Sequence, residues 1–68
     1  MKEMLLYTLL HCLLDGCEYK NIQVKDGDGF LHKVDSIDLI SEKISCDDGY
    51  YHYFEAFIND GNHVLYVE

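Results

Sequence analysis

The sequence predicts an α+β fold: one N-terminal helix packed on a small antiparallel β-meander of four to five strands. Three observations carry that expectation. A leucine-rich block at residues 5–14 opens the chain with almost no β-branched side chains. Four Asp/Asn-Gly turn signals follow, at "LDGC" (14–17), "KDGDG" (25–29), "SCDDG" (45–49) and "NDGN" (59–62). Between them lie short runs rich in Tyr, Val, Ile and Phe, which is strand composition.

Sixty-eight residues, 49% of them hydrophobic, make one folded domain. A chain this short buries only about 60% of its unfolded surface, so its core is marginal and a staple or a partner is expected. It has no proline, and no repeat or low-complexity tract marks a linker.

The helix is expected over about 3–15: Leu and Met favour it, and Gly16 is a suitable stop. At 100° per residue, Met4, Thr8, His11 and Asp15 share one narrow stripe, and leucines with Tyr7 and Cys12 cover most of the rest. That apolar surface is wider than the stripe of an ordinary surface helix. One small sheet covers one side only, so Leu5, Leu6, Leu9, Leu10 and Leu13 become candidates for self-association or partner contact. The apolar run is far short of the roughly 20 residues that span a bilayer. "LDGC" has the leucine and cysteine of a bacterial lipid-attachment signal, but Asp15 stands where a small neutral residue belongs. Glu3 also offsets Lys2, and His11 interrupts the apolar region. A lipid-anchored protein is therefore the weakest alternative.

A first hairpin is expected over about 18–34, with "EYKNIQV" (18–24) and "FLHKV" (30–34) joined by "KDGDG". Segment 35–45, "DSIDLISEKIS", is ambiguous. Ile37, Ile40 and Ile44 have helical spacing, yet Ile40, Glu42 and Ile44 also alternate. Leu39 sits three after Ser36, where a capping box needs Glu or Gln, so the strand reading is preferred. A second hairpin is expected over 50–68, with "YYHYFEAFI" (50–58) and "HVLYVE" (63–68) flanking "NDGN". Alternation puts Tyr50, His52, Phe54, Ala56 and Ile58 on a core face, and Tyr51, Tyr53, Glu55, Phe57 and Asn59 on the other.

Thirteen carboxylates face five lysines and no arginine, a formal charge of -8. That balance opposes direct nucleic-acid binding and docking on an anionic membrane. It favours solubility and steering toward a basic partner. The odd count of three cysteines, Cys12, Cys17 and Cys46, reads as reduced thiols and a cytoplasmic location.

No cofactor, metal or catalytic group is expected. Four residues separate Cys12 and Cys17, but no second close pair completes a zinc site; five separate Cys46 and His52, and His32 and His63 stand alone. Counting "DGDG" from Asp26 as a calcium loop puts Phe30 and Ile37 where oxygen ligands belong, so a hairpin turn is the reading. Cys46 with His52 is a conceivable thiol–base pair, though no orienting motif surrounds it. Asp35, Asp38 and Glu42 read as solvated charge.

What remains is a small acidic protein-binding module, with Asp47, Asp48, Tyr51, Tyr53 and Glu55 as partner-binding candidates. An inhibitor or modulator of the phage-encoded kind fits, one occupying a basic or apolar surface of a larger protein. If that protein binds nucleic acid, the carboxylates stand in for phosphates. The alternative of a different class is an obligate homo-oligomeric structural module, a homodimer through the N-terminal helix.

Overall fold

The computed structural model describes residues 2–16, 21–59 and 61–67. Its elements run β1 (Lys2–Met4), α1 (Leu6–Leu14), β2 (Ile22–Lys25), β3 (Leu31–Asp38), β4 (Lys43–Cys46), β5 (Tyr51–Tyr53), α2 (Phe54–Asn59) and β6 (Val64–Val67). The six strands form one sheet in the order β1-β6-β2-β3-β4-β5, every pairing antiparallel. The class is α+β as expected, with one or two strands more than the sequence suggested.

Four strands, β2 to β5, are the expected meander. Gln23 faces Lys33 in the first hairpin, and Ile37 faces Ile44 in the second. The ambiguous segment thus resolves as strand, turn, strand. Asp38 makes the turn, its Oδ1 accepting the N–H of Ile40 at 2.9 Å and of Ser41 at 3.2 Å. Those bonds, that of Ser41 foremost, hold its carboxyl below the ordinary range. Glu42 closes the turn at φ 56, an uncommon conformation for a residue with a Cβ.

Three expectations need correction. The helix does not begin near residue 3: Lys2–Met4 is an edge strand pairing with β6, Met4 opposite Leu65. Its residues are good helix formers, but pairing with a sheet edge overrides that weak preference. α1 then starts after Leu5 with no side-chain cap and stops at Gly16, φ 96. Second, no strand runs 50–58. Only Tyr51–Tyr53 pairs with β4, and Phe54–Asn59 coils into a helix. Phe54 and Phe57 then share one side at helical spacing, Phe54 buried and Phe57 packed against the core, while Ile58 turns out to solvent. Third, β6 does not return beside β5. α2 carries the chain back, and β6 inserts between β1 and β2. The "NDGN" signal therefore ends a helix, with Gly61 at φ 72, instead of closing a hairpin. Cys17 to Lys20, Asp60 and Glu68 lie outside the described residues.

The core lies on one face of the sheet. Ile22, Val24, Val34, Ile44, Cys46 and Leu65 point toward Leu6 and Leu9 of α1 and Phe54 of α2. A register shift between Val34 and Ser36 keeps this face in phase along β3: Val34 and Ile37 both face inward. Registers put Lys25, Lys33 and Lys43 on the opposite, outer face. Leu6 and Leu9, expected in self-association, fill the chain's own core, and Leu9 is 0% exposed. Leu9 is thereby closed off from solvent, and Leu6 keeps only 4% of its surface exposed. Leu10 and Leu13 pack beside them, and Leu5 is left outside. The reduced-thiol reading fails at Cys12, which is disulfide-bonded; Cys46 is free. An odd count excludes complete pairing, but not one bridge. No helix among the described residues is long and apolar enough to cross a membrane.

Candidate functional site

Two places on the inner side gather unusual chemistry: a polar knot at one end and an apolar groove between the helices. The knot is built by two loops of like design. Asp26 to Phe30 closes by Asp26 N–H to Phe30 O at 2.9 Å, and Cys46 to Tyr50 closes by Cys46 N–H to Tyr50 O at 2.7 Å. Each places its fourth residue, Gly29 or Gly49, at φ near 90, where a Cβ would be strained. Each also turns one aspartate onto its own backbone. Asp26 Oδ1 accepts from Asp28 and Phe30, and Asp48 Oδ1 accepts from Tyr50. The second oxygen of each carboxylate is thereby aimed at the same imidazole.

His32 lies between them. Its Nε2–H donates to Asp26 Oδ2 at 2.8 Å, and its Nδ1–H donates to Asp48 Oδ2 at 2.5 Å. Its ring stacks on Tyr50 with centroids 4.0 Å apart and planes within 4°. The Tyr50 hydroxyl is hydrogen-bonded to Nε2 of buried His63 at 3.1 Å, and the His52 ring lies 4.3 Å from that of His63. The carboxylates, Asp26 foremost, raise the His32 pKa above its ordinary value, and His32 lowers both of theirs. A carboxylate oxygen faces each ring nitrogen, an arrangement that favours the imidazolium and ties the two loops together through one side chain. Cys46 is poorly placed as a nucleophile. Burial, with Asp48, Asp47 and Asp35 adding to it, pushes its thiol up to about 11.

The groove has the opposite character. Two adjoining cavities of about 350 and 220 Å³ share Leu6, Tyr7 and Ile58 in their walls. One end reaches Leu5 and Phe57; the other reaches Leu10, Leu39 and Phe54. Around it, large apolar side chains stand in solvent: Leu5 is 75% exposed, Tyr7 64%, Leu39 55% and Ile58 48%. Ile40, 97% exposed, projects from the same β3–β4 turn. The turn is stitched to the groove, because Glu42 O accepts the N–H of Phe54 at 2.7 Å. The charged residues in its lining are Glu42 and Glu55, and no lysine joins them. Contiguous exposed apolar surface with a polar rim is the signature of an interaction site.

Of the five residues expected to bind a partner, Tyr51 meets Tyr53 and Tyr53 shares a cavity wall with Glu55, while Asp47 and Asp48 sit apart at the β4–β5 loop. Tyr51 and Tyr53 are exposed on the outer face of β5, edge to face at 6.1 Å, with the Lys43 ammonium 4.8 Å from the Tyr51 ring. Asp48 is committed to His32 and Tyr50. Asp47 is exposed at the same loop, its N–H donating to Lys33 O at 3.0 Å. Glu55 alone reaches the groove. Reading the sequence missed Tyr7, Leu39, Ile40 and Ile58, because exposure of an apolar residue is decided by what fails to pack on it. The knot left a fainter signal: His32 alternates with Val34, and two Asp-Gly loops flank its strand. Among the described residues, no group of three His, Cys, Asp or Glu side chains is placed to hold a metal ion. No family model, curated protein sequence or solved structure matches this chain, so any functional reading has to come from the knot and the groove themselves.

Proposed function

We propose that this chain is a small acidic protein-binding module that engages a larger protein through the α1–α2 groove. The observation that carries the reading is the set of exposed apolar side chains around a cavity whose only charged lining residues, among the described residues, are Glu42 and Glu55. A surface of this kind loses free energy in water and gains it when a partner covers it, at about 25 cal/mol per Å² of apolar area. The net charge of -8 adds steering toward a basic target.

Inhibition or modulation of the partner, in the manner of a small phage-encoded protein, would follow from simply occupying its surface. Phosphate mimicry by Asp47 and Asp48 is the less favoured form, since Asp48 is already held against the His32 imidazolium. The homo-oligomeric alternative is narrowed by the burial of Leu6 and Leu9, which leaves Leu5 just before the helix, and Tyr7 and Leu14 on it, as the exposed apolar residues to mediate it. Cytoplasmic residence, inferred from reduced thiols, loses that support at Cys12.

The test is a parallel pull-down from a lysate of the organism that encodes the chain, with native protein and Ile58→Asp. The expected outcome is a protein retained by the native chain and lost with the variant. Equal retention by both, or by neither, overturns the reading.

A further inference from the structure

We infer that the occupant of the groove is an amphipathic helix of a partner protein whose apolar stripe is flanked by lysine or arginine. This inference rests on the reading of the groove as a protein-binding surface and adds what kind of segment it takes. The walls are side chains of two helices, and the β3–β4 turn has its Ile40 and Ser41 N–H groups already bonded to Asp38. Among the described residues, no strand residue is part of the lining to pair with an extended peptide. A segment laid there has to satisfy its own N–H and C=O groups, which a helix does. The nine residues of α1 rise about 13 Å, room for about two turns of such a helix beside it.

Among the described residues, the lining has Glu42 and Glu55 and no cation, while Lys25, Lys33 and Lys43 lie on the far face of the sheet. Basic flanks would meet carboxylates along the rim. A second copy of this chain is the poorer occupant. A two-fold contact uses the same patch on both copies, so it would bring two linings that each hold Glu42 and Glu55 together, between two chains of charge -8.

Three synthetic helical peptides test this. They share one leucine face at i, i+3 and i+7 and differ only in flanks of Lys, Gln or Glu. Binding is read by fluorescence anisotropy, and its location by amide shifts in the full chain. The expected result is tightest binding of the Lys-flanked peptide, with shifts at Tyr7, Leu39 and Ile58, and binding of the Glu-flanked one weaker by about tenfold or more. Glu55→Gln should weaken the Lys-flanked peptide by about two- to threefold and reduce its salt dependence. Ile58→Asp should abolish binding at an unchanged urea midpoint. Equal affinity for all three peptides overturns the inference about basic flanks and leaves the groove as a binding surface. Shifts confined to the outer sheet face, or none with any peptide, overturn the inference and count against the groove as well. Light scattering that finds a dimer lost on Ile58→Asp assigns the groove to a second copy and overturns it too.

Discussion

The knot and the groove lie on the same side of one small sheet, yet they treat their surroundings in opposite ways. At the knot, both nitrogens of His32, both oxygens of Asp26 and both of Asp48 meet groups of the same chain. At the groove, leucine, isoleucine and tyrosine side chains that could have closed over a core are left in water. The difference teaches where each region's free energy is realised. Interactions at the knot are complete on folding, so losing one should cost stability. The apolar side chains of the groove stand largely in solvent, so in the binding role proposed for it, losing one should cost binding and little stability.

Two tyrosines put that contrast to its hardest test. Tyr50→Ala removes the ring stacked on His32 and part of the core edge, and should cost about 2–4 kcal/mol in urea unfolding. Tyr7→Ala, in the groove wall, should stay within about 0.5 kcal/mol of the native chain. Comparable losses at both positions would break the distinction. A gentler cut is Tyr50→Phe, which keeps the stack and removes the hydroxyl bonded to His63; about 1 kcal/mol is expected.

A smaller effect, read as a slope, should appear when the urea midpoint is followed against pH. His32 has its pKa raised from 6.5, so its contribution is complete below that value and fades as pH rises through the folded-state pKa. Asp26 and Asp48 are lowered from 3.8, so theirs is complete above that value and fades as pH falls through the folded-state pKa values. The knot therefore contributes most between 3.8 and 6.5. His32→Gln should flatten the alkaline limb; a profile that keeps its slope would assign the pH dependence elsewhere. The smallest change belongs to Ile40→Ser at the turn beside the groove, expected within about 0.5 kcal/mol because the side chain touches little.

Much of the fold was legible where neighbours in sequence are neighbours in space. The loops at 25–29 and 45–49 announced their hairpins, Gly16 announced the end of α1, and the Tyr51/Tyr53 alternation announced two exposed rings. What was not legible depended on distant pairing. Lys2–Met4 looks helical until β6 is there to receive it. Residues 54–58 alternate well enough for a strand, and only the burial of Phe54 with the packing of Phe57 reveals the longer period. For the site, residue types were visible but placement was not. His32 meets Asp48 across sixteen positions of chain, and the groove is assembled from α1, α2 and a turn.

The place of β6 has a kinetic consequence. The meander from β2 to β5 needs only short loops to close, whereas Lys2 finds Val67 and Ile22 finds Val67 across most of the chain. Closing long loops costs more entropy before any contact repays it, so the local hairpins should form early and β6 should enter late. The knot's His32–Asp26 and His32–Asp48 contacts belong to the early part, while the groove needs α1 and α2 docked on a sheet that β6 completes. The groove proposed as a binding surface is then the last piece of the molecule to exist.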